Sequence, residues 1–91
     1  MTRTELLDWA NKIVMGNRNE EYGEPEDNFG VIANLWTSYK GTAFSRVDVA
    51  MMMALLKIAR IKNEPSKMDS YVDLAGYAAC GAEIADRESK V

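Results

Sequence analysis

Ninety-one residues, 47% of them apolar and 27% charged, are enough for one domain, near the lower size at which a single core is comfortable. A net charge of −3 and a pI of about 4.9 exclude a basic face running over the whole chain, so a nucleic-acid polymer is not the expected partner. Histidine is absent, which removes the commonest general base, and a lone cysteine closes no internal disulfide, so nothing points to a stapled, secreted scaffold.

The N-terminus, MTRTELLDWA, lacks the long apolar core of a signal peptide. It opens a first helix, because Thr2 and Glu5 have the spacing of a capping box. Leu6, Leu7, Ala10, Ile13 and Val14 then recur at helical intervals, and Gly16 closes the helix. The next stretch, GNRNEEYGEPEDNFG, reads as a loop with Pro25 as a breaker. A second helix enters between Pro25 and Asn28 and runs to Lys40, with Phe29, Ile32, Ala33 and Trp36 inward and Gly41 at its end.

Ser45 and Asp48 repeat the capping-box spacing and open a third helix that reaches about Lys62. Glu64-Pro65 stops it, since the residue before proline disfavours the helical region. Ser66 and Asp69 form a third such pair, opening a fourth helix through about Asp86. Cys80, among small neighbours in YAACGAE, reads as packing. The expected fold is all-α: one bundle-like helical domain over residues 1–91 with four helices. The longest apolar run, Val49 to Leu56, is too short to cross a bilayer, so the expectation is a cytoplasmic protein without a membrane partner.

That run is apolar on every side of the third helix and needs covering all round. The fourth helix carries Ala75, Gly76, Ala78, Ala79, Gly81 and Ala82, which let another backbone approach closely. Both features predict a homo-oligomer, dimer or tetramer, that completes the bundle.

Three groups of residues carry possible chemistry. Lys57 and Arg60 lie one turn apart at the end of the apolar helix. They either snorkel and pair with carboxylates, or line a cleft and meet phosphate, with arginine as a fork and lysine as a point charge. Asp69, Asp73 and Tyr77 form one stripe on the fourth helix. The two acids could hold Mg²⁺, or Asp69 caps the helix while Asp73, interrupting YVDLAGYAA, takes a cationic partner. In the acidic loop Glu20 to Asp27, a solvated turn competes with a ligand site: Tyr22 and Phe29 would stack on a base, Asn28 read its edge and Arg18 meet a phosphate. No phosphate-cradling glycine loop, Ser/His/Asp set, Cys/His set or zinc spacing is present.

The blocks YGEPEDNF, IANLW, DVAMMMALLKIAR and DSYVDLAGYAA, in that order between Ala10 and Ala82, resemble a group of small phage and prophage proteins. More distantly, the helix order and one motif resemble the all-α, MazG-like nucleoside triphosphate pyrophosphohydrolases. Those are oligomeric and bind Mg²⁺ through an EExxE motif on one helix and an ExxD motif on another. Asp73 matches the final Asp of the second motif, whereas Asp69 stands one residue too far away. Where EExxE belongs, this chain has Met51, Met52 and Met53, followed by Lys57 and Arg60.

The resemblance therefore implies a site rebuilt with cations, able to hold phosphate directly. The leading expectation is a phage-encoded protein that binds a small nucleotide without hydrolysing it. It would be an oligomeric sponge for a cyclic or other nucleotide immune signal in the host cytoplasm, with no cofactor. Its ligand-binding residues would be Arg18, Tyr22, Asn28, Phe29, Lys57, Arg60, Asp73 and Tyr77. The alternatives are a Mg²⁺-dependent pyrophosphohydrolase, with Asp69 and Asp73 on the metal, and an interaction module whose charges fix helix register.

Overall fold

The computed structural model describes residues 1–90; the side chains of Asn17, Arg18 and Tyr22 lie outside that description. Among the described residues there are no strands, and the helices are α1 (Arg3–Met15), α2 (Asn17–Tyr22), α3 (Pro25–Lys40), α4 (Arg46–Asn63) and α5 (Met68–Ser89). The all-α single domain is as expected, with four long helices and one short one. None of them is long and apolar enough to cross a membrane.

Local chemistry sets most of the boundaries. The Thr2 hydroxyl accepts from the Glu5 amide at 3.2 Å, and the Glu5 carboxylate accepts from the Thr2 amide at 3.0 Å. The bond from the Thr2 amide holds the Glu5 carboxyl below its ordinary range. This end of α1 is therefore firmest above the usual carboxylate pKa and loosens as pH falls through the lowered one. Ser45 and Asp48 form the same reciprocal pair at 3.0 and 2.9 Å at the head of α4. Pro25 occupies the first turn of α3, and Gly41 ends that helix in the left-handed conformation at φ 72°.

Two expectations fail locally. The loop before Pro25 contains α2, one and a half turns long, bounded by Gly16 and by Gly23 at φ 81°. The expected Ser66–Asp69 box does not form, because α5 starts at Met68 with Lys67 as its N-cap. Ser66 thus lies in the preceding turn, where the Tyr71 hydroxyl donates to the Pro65 carbonyl at 2.9 Å.

Helix α5 is the centre of the packing, resting on α1, α3 and α4. Val49 and Ala50 of α4 are fully buried and join Phe29, Ala33 and Ile84 in the core. Trp36 meets Phe44 edge-on at 5.8 Å between ring centroids, closing the α3–α4 corner. Gly76 and Gly81, expected to admit a second chain, face inward. A Cβ on Gly76 would lie 3.1 Å from Val14 Cγ1, and one on Gly81 3.0 Å from both Ala50 Cβ and Met51 Cε.

The cover that the apolar run of α4 needs is not supplied within the single chain. Helices α3 and α5 bury only one side of α4, and Met51, Met52, Leu55, Leu56 and Ile58 stay 41–63% exposed.

Since Gly81 serves packing inside the chain, Gly81→Leu should act on the fold itself. Overpacking there costs about 1–3 kcal/mol, which lowers Tm by at least ~4 °C in a domain of this size. Thermal and urea melts at fixed protein concentration check it. An unchanged midpoint would mean that α4 and α5 do not approach this closely.

Candidate ligand-binding site

Four of the eight residues picked out in the sequence converge although they come from distant segments. Asn28 and Phe29, on the first turns of α3, face Asp73 and Tyr77 on α5 across a cavity of about 250 Å³. Ile13 and Val14 of α1, Asn19 of α2, Gly23, Pro25, Val72, Gly76 and Cys80 complete the lining. On α5 the lining positions Val72, Asp73, Gly76, Tyr77 and Cys80 follow the helical three- and four-residue spacing. The cavity lies where the end of α1, the short α2, the start of α3 at Pro25 and the middle of α5 come together.

The walls are mainly apolar. Phe29 is 6% exposed and belongs to the core, so its ring forms a floor; the half-buried Tyr77 ring lies 6.1 Å from it, tilted by 34°. The Asn28 and Asn19 amides each supply a donor and an acceptor. Asp73 adds a carboxylate, and it is not alone. Lys57 Nζ stands 2.9 Å from its Oδ2, with the two side chains only 13% and 18% exposed. The acid in mid-helix thus has the cationic partner its surroundings demand. Neither Asn19 nor the α1 residues were visible as site residues, since Ile13 and Val14 read as core and Asn19 as loop.

The remaining residues lie elsewhere. Arg60 is exposed and lines a separate depression at the α4–α5 turn with Asn63, Glu64, Lys67 and Ser70. Lys57 pairs with Asp73, whereas Arg60, one turn on, lines this other depression. Asp69 is exposed on the first turn of α5. The side chains of Arg18 and Tyr22 fall outside the described residues. A second depression adjoins the cavity, sharing Val14, Asn19, Pro25 and Cys80, and is rimmed by Glu20, Glu24, Glu26 and Glu83. Arg87 bridges two of these acids, 3.0 Å from Glu26 and 2.7 Å from Glu83. Among the described residues, no three acidic or cysteine side chains come together so as to hold a metal ion.

The chain belongs to the DUF6378 family, a domain of unknown function whose model matches residues 5–85. It is similar to the Gene 55 protein of Mycobacterium phage D29, with 44% identity over 79 residues, 87% of this chain and 52% of that protein. The Gene 55 protein of Mycobacterium phage L5 is 46% identical over 74 residues, 80% of this chain and 47% of that protein. The chain thus spans about half the length of the curated relatives it matches. Both relatives are phage proteins, in keeping with the resemblance read from the sequence. No solved structure matches.

The Lys57–Asp73 pair is buried enough that breaking it should cost more than the ~0–1 kcal/mol of an exposed ion pair and less than the ~3–5 kcal/mol of a fully buried one. Lys57→Met and Asp73→Leu should each destabilise. The double variant should lose less than the two together, with a coupling energy of about 1–3 kcal/mol. Urea melts of the four proteins measure it, and additive losses would show that the pair does not form in solution.

Proposed function

We propose that this DUF6378 chain is a phage-encoded nucleotide-binding protein that holds its ligand without hydrolysing it. It works as a homo-oligomeric sponge for a nucleotide signal in the host cytoplasm. The observation behind this reading is the convergence of Asn28, Phe29, Asp73 and Tyr77 on one cavity of about 250 Å³. Cavities for drug-sized ligands run to roughly 300–1,000 Å³, so this one suits a single base, with sugar and phosphate outside. Tyr77 offers the stacking face and Asn28 reads an edge. The second oxygen of Asp73 accepts from ring N–H or amino donors, and Lys57 is the cation nearest to it. A cyclic dinucleotide carries two bases, so one ligand would engage two copies of the chain. Retention without turnover follows from Lys57, which already neutralises the acid that a metal would need.

A MazG-like, Mg²⁺-dependent pyrophosphohydrolase is the second reading. Its support is the acidic rim of Glu20, Glu24 and Glu26 beside the cavity. To stand in for the missing EExxE carboxylates that rim would have to draw together, since no three described acids meet as they stand, with Asp69 and Asp73 as further ligands.

Incubation with a panel of nucleoside triphosphates and cyclic dinucleotides plus Mg²⁺, followed by chromatography of bound and free fractions, separates the two. Unaltered ligand held by the protein supports sequestration, and monophosphate with pyrophosphate supports the hydrolase. If neither appears, the cavity is no nucleotide site. For a ligand that binds, Tyr77→Ala should weaken affinity about 5- to 150-fold in calorimetric titration, the equivalent of losing ~1–3 kcal/mol of base stacking.

A further inference from the structure

The outer side of α4 has a pattern of its own. Asp48, Met51, Leu55, Ile58 and Lys62 recur at intervals of three and four, an average of 3.5 residues, and so form one seam along the helix. Every member of the seam is exposed in the single chain: Met51 42%, although its Cε also reaches Gly81 of α5, Leu55 63% and Ile58 49%, with Asp48 and Lys62 exposed at its two ends. Met52, also 42% exposed, widens the apolar strip. Val49 to Leu56 contains no ionisable residue, and Lys57 and Arg60, the two cations between Leu56 and Lys62, fall off the seam at helical spacing. Contiguous apolar surface of this kind, capped by polar residues, marks an interaction site.

We propose that the occupant of this seam is α4 of a second copy, running antiparallel about a two-fold axis at Leu55. The charges argue for it. Asp48 and Lys62 each stand seven residues from Leu55, on opposite sides. Seven residues are close to two helical turns, so both stay on the Leu55 face, about 10 Å from it along the axis. Antiparallel pairing brings Asp48 of each copy opposite Lys62 of the other, twice over, as a two-fold interface requires. Parallel pairing would set aspartate against aspartate and lysine against lysine, so the sequence selects the first arrangement. The helix dipoles favour it too, since each terminus meets its opposite. The seam specifies the face of the homo-oligomer in the proposed function and rests on that reading.

Light scattering and oxidative trapping test both. Wild type should show at least twice the 10.2 kDa chain mass, and Leu55→Glu, which sets two carboxylates against each other on the axis, should at least halve that mass. Leu55 is exposed in the single chain, so its helical circular dichroism should be kept. In a Cys80→Ala background, which removes the native thiol, Leu55→Cys should oxidise to a covalent dimer. Ala78→Cys, exposed on α5, should not. An oligomer that survives Leu55→Glu and forms no Leu55→Cys bridge overturns the seam and leaves the oligomer standing. A wild-type monomer at tens of micromolar overturns both.

Discussion

Helix α5 can lie on α4 as it does only because residue 81 has no side chain. The Ala50 Cβ and the Met51 Cε already stand where a Cβ would be only 3.0 Å from each. That closeness lets Val49, Val72 and Ile84 become fully buried without large aromatic residues between the two helices. Five residues earlier on α5, Gly76 does the same for α1, whose Val14 methyl sits 3.1 Å from the missing Cβ. The two glycines weaken α5 by roughly 1 kcal/mol each relative to alanine, and the packing they permit on two sides offsets this. The helix most compromised in intrinsic propensity is the one that organises the domain.

The cavity is a by-product of the same arrangement. With α1 drawn against Gly76, its last turn, Ile13 and Val14, forms one wall, and the start of α3 at Pro25 forms another. Asp73 and Tyr77 lie on the α5 turns flanking Gly76, so they face the space that the glycine leaves next to α1. Packing and site are therefore built from interleaved positions on one helix. The Lys57–Asp73 contact ties α4 to this wall as well.

Features carried by near neighbours in sequence were legible. Thr2 with Glu5, Ser45 with Asp48, Pro25 and Gly41 mark helix ends through bonds or dihedral limits that span only a few residues. The Ser66–Asp69 spacing misled because the Tyr71–Pro65 bond holds the chain in a turn for one residue longer. A helix as short as α2 has no periodicity to detect between its two glycines. In the site, Asp73 announced itself as an acid within an apolar run, and that it needs a partner is a local argument. That the partner is Lys57, while Arg60 turns to another depression, depends on how far α5 is rotated against α4. No spacing within one helix encodes that angle. The inward use of Gly76 and Gly81 was hidden for the same reason.

The Lys57–Asp73 pair also constrains how this family drifts over generations. A lone uncharged replacement at either position strands a charge with little access to water and lowers stability, so it is disfavoured as a first step. Passage to a pair of apolar residues, or to the same charges exchanged, needs both substitutions nearly together. Because Asp73 also lines the cavity, each such paired change alters the cavity wall. The cavity lining and the α4–α5 pairing are thus tied together through Asp73, and a relative that differs at residue 57 is expected to differ in the cavity lining too.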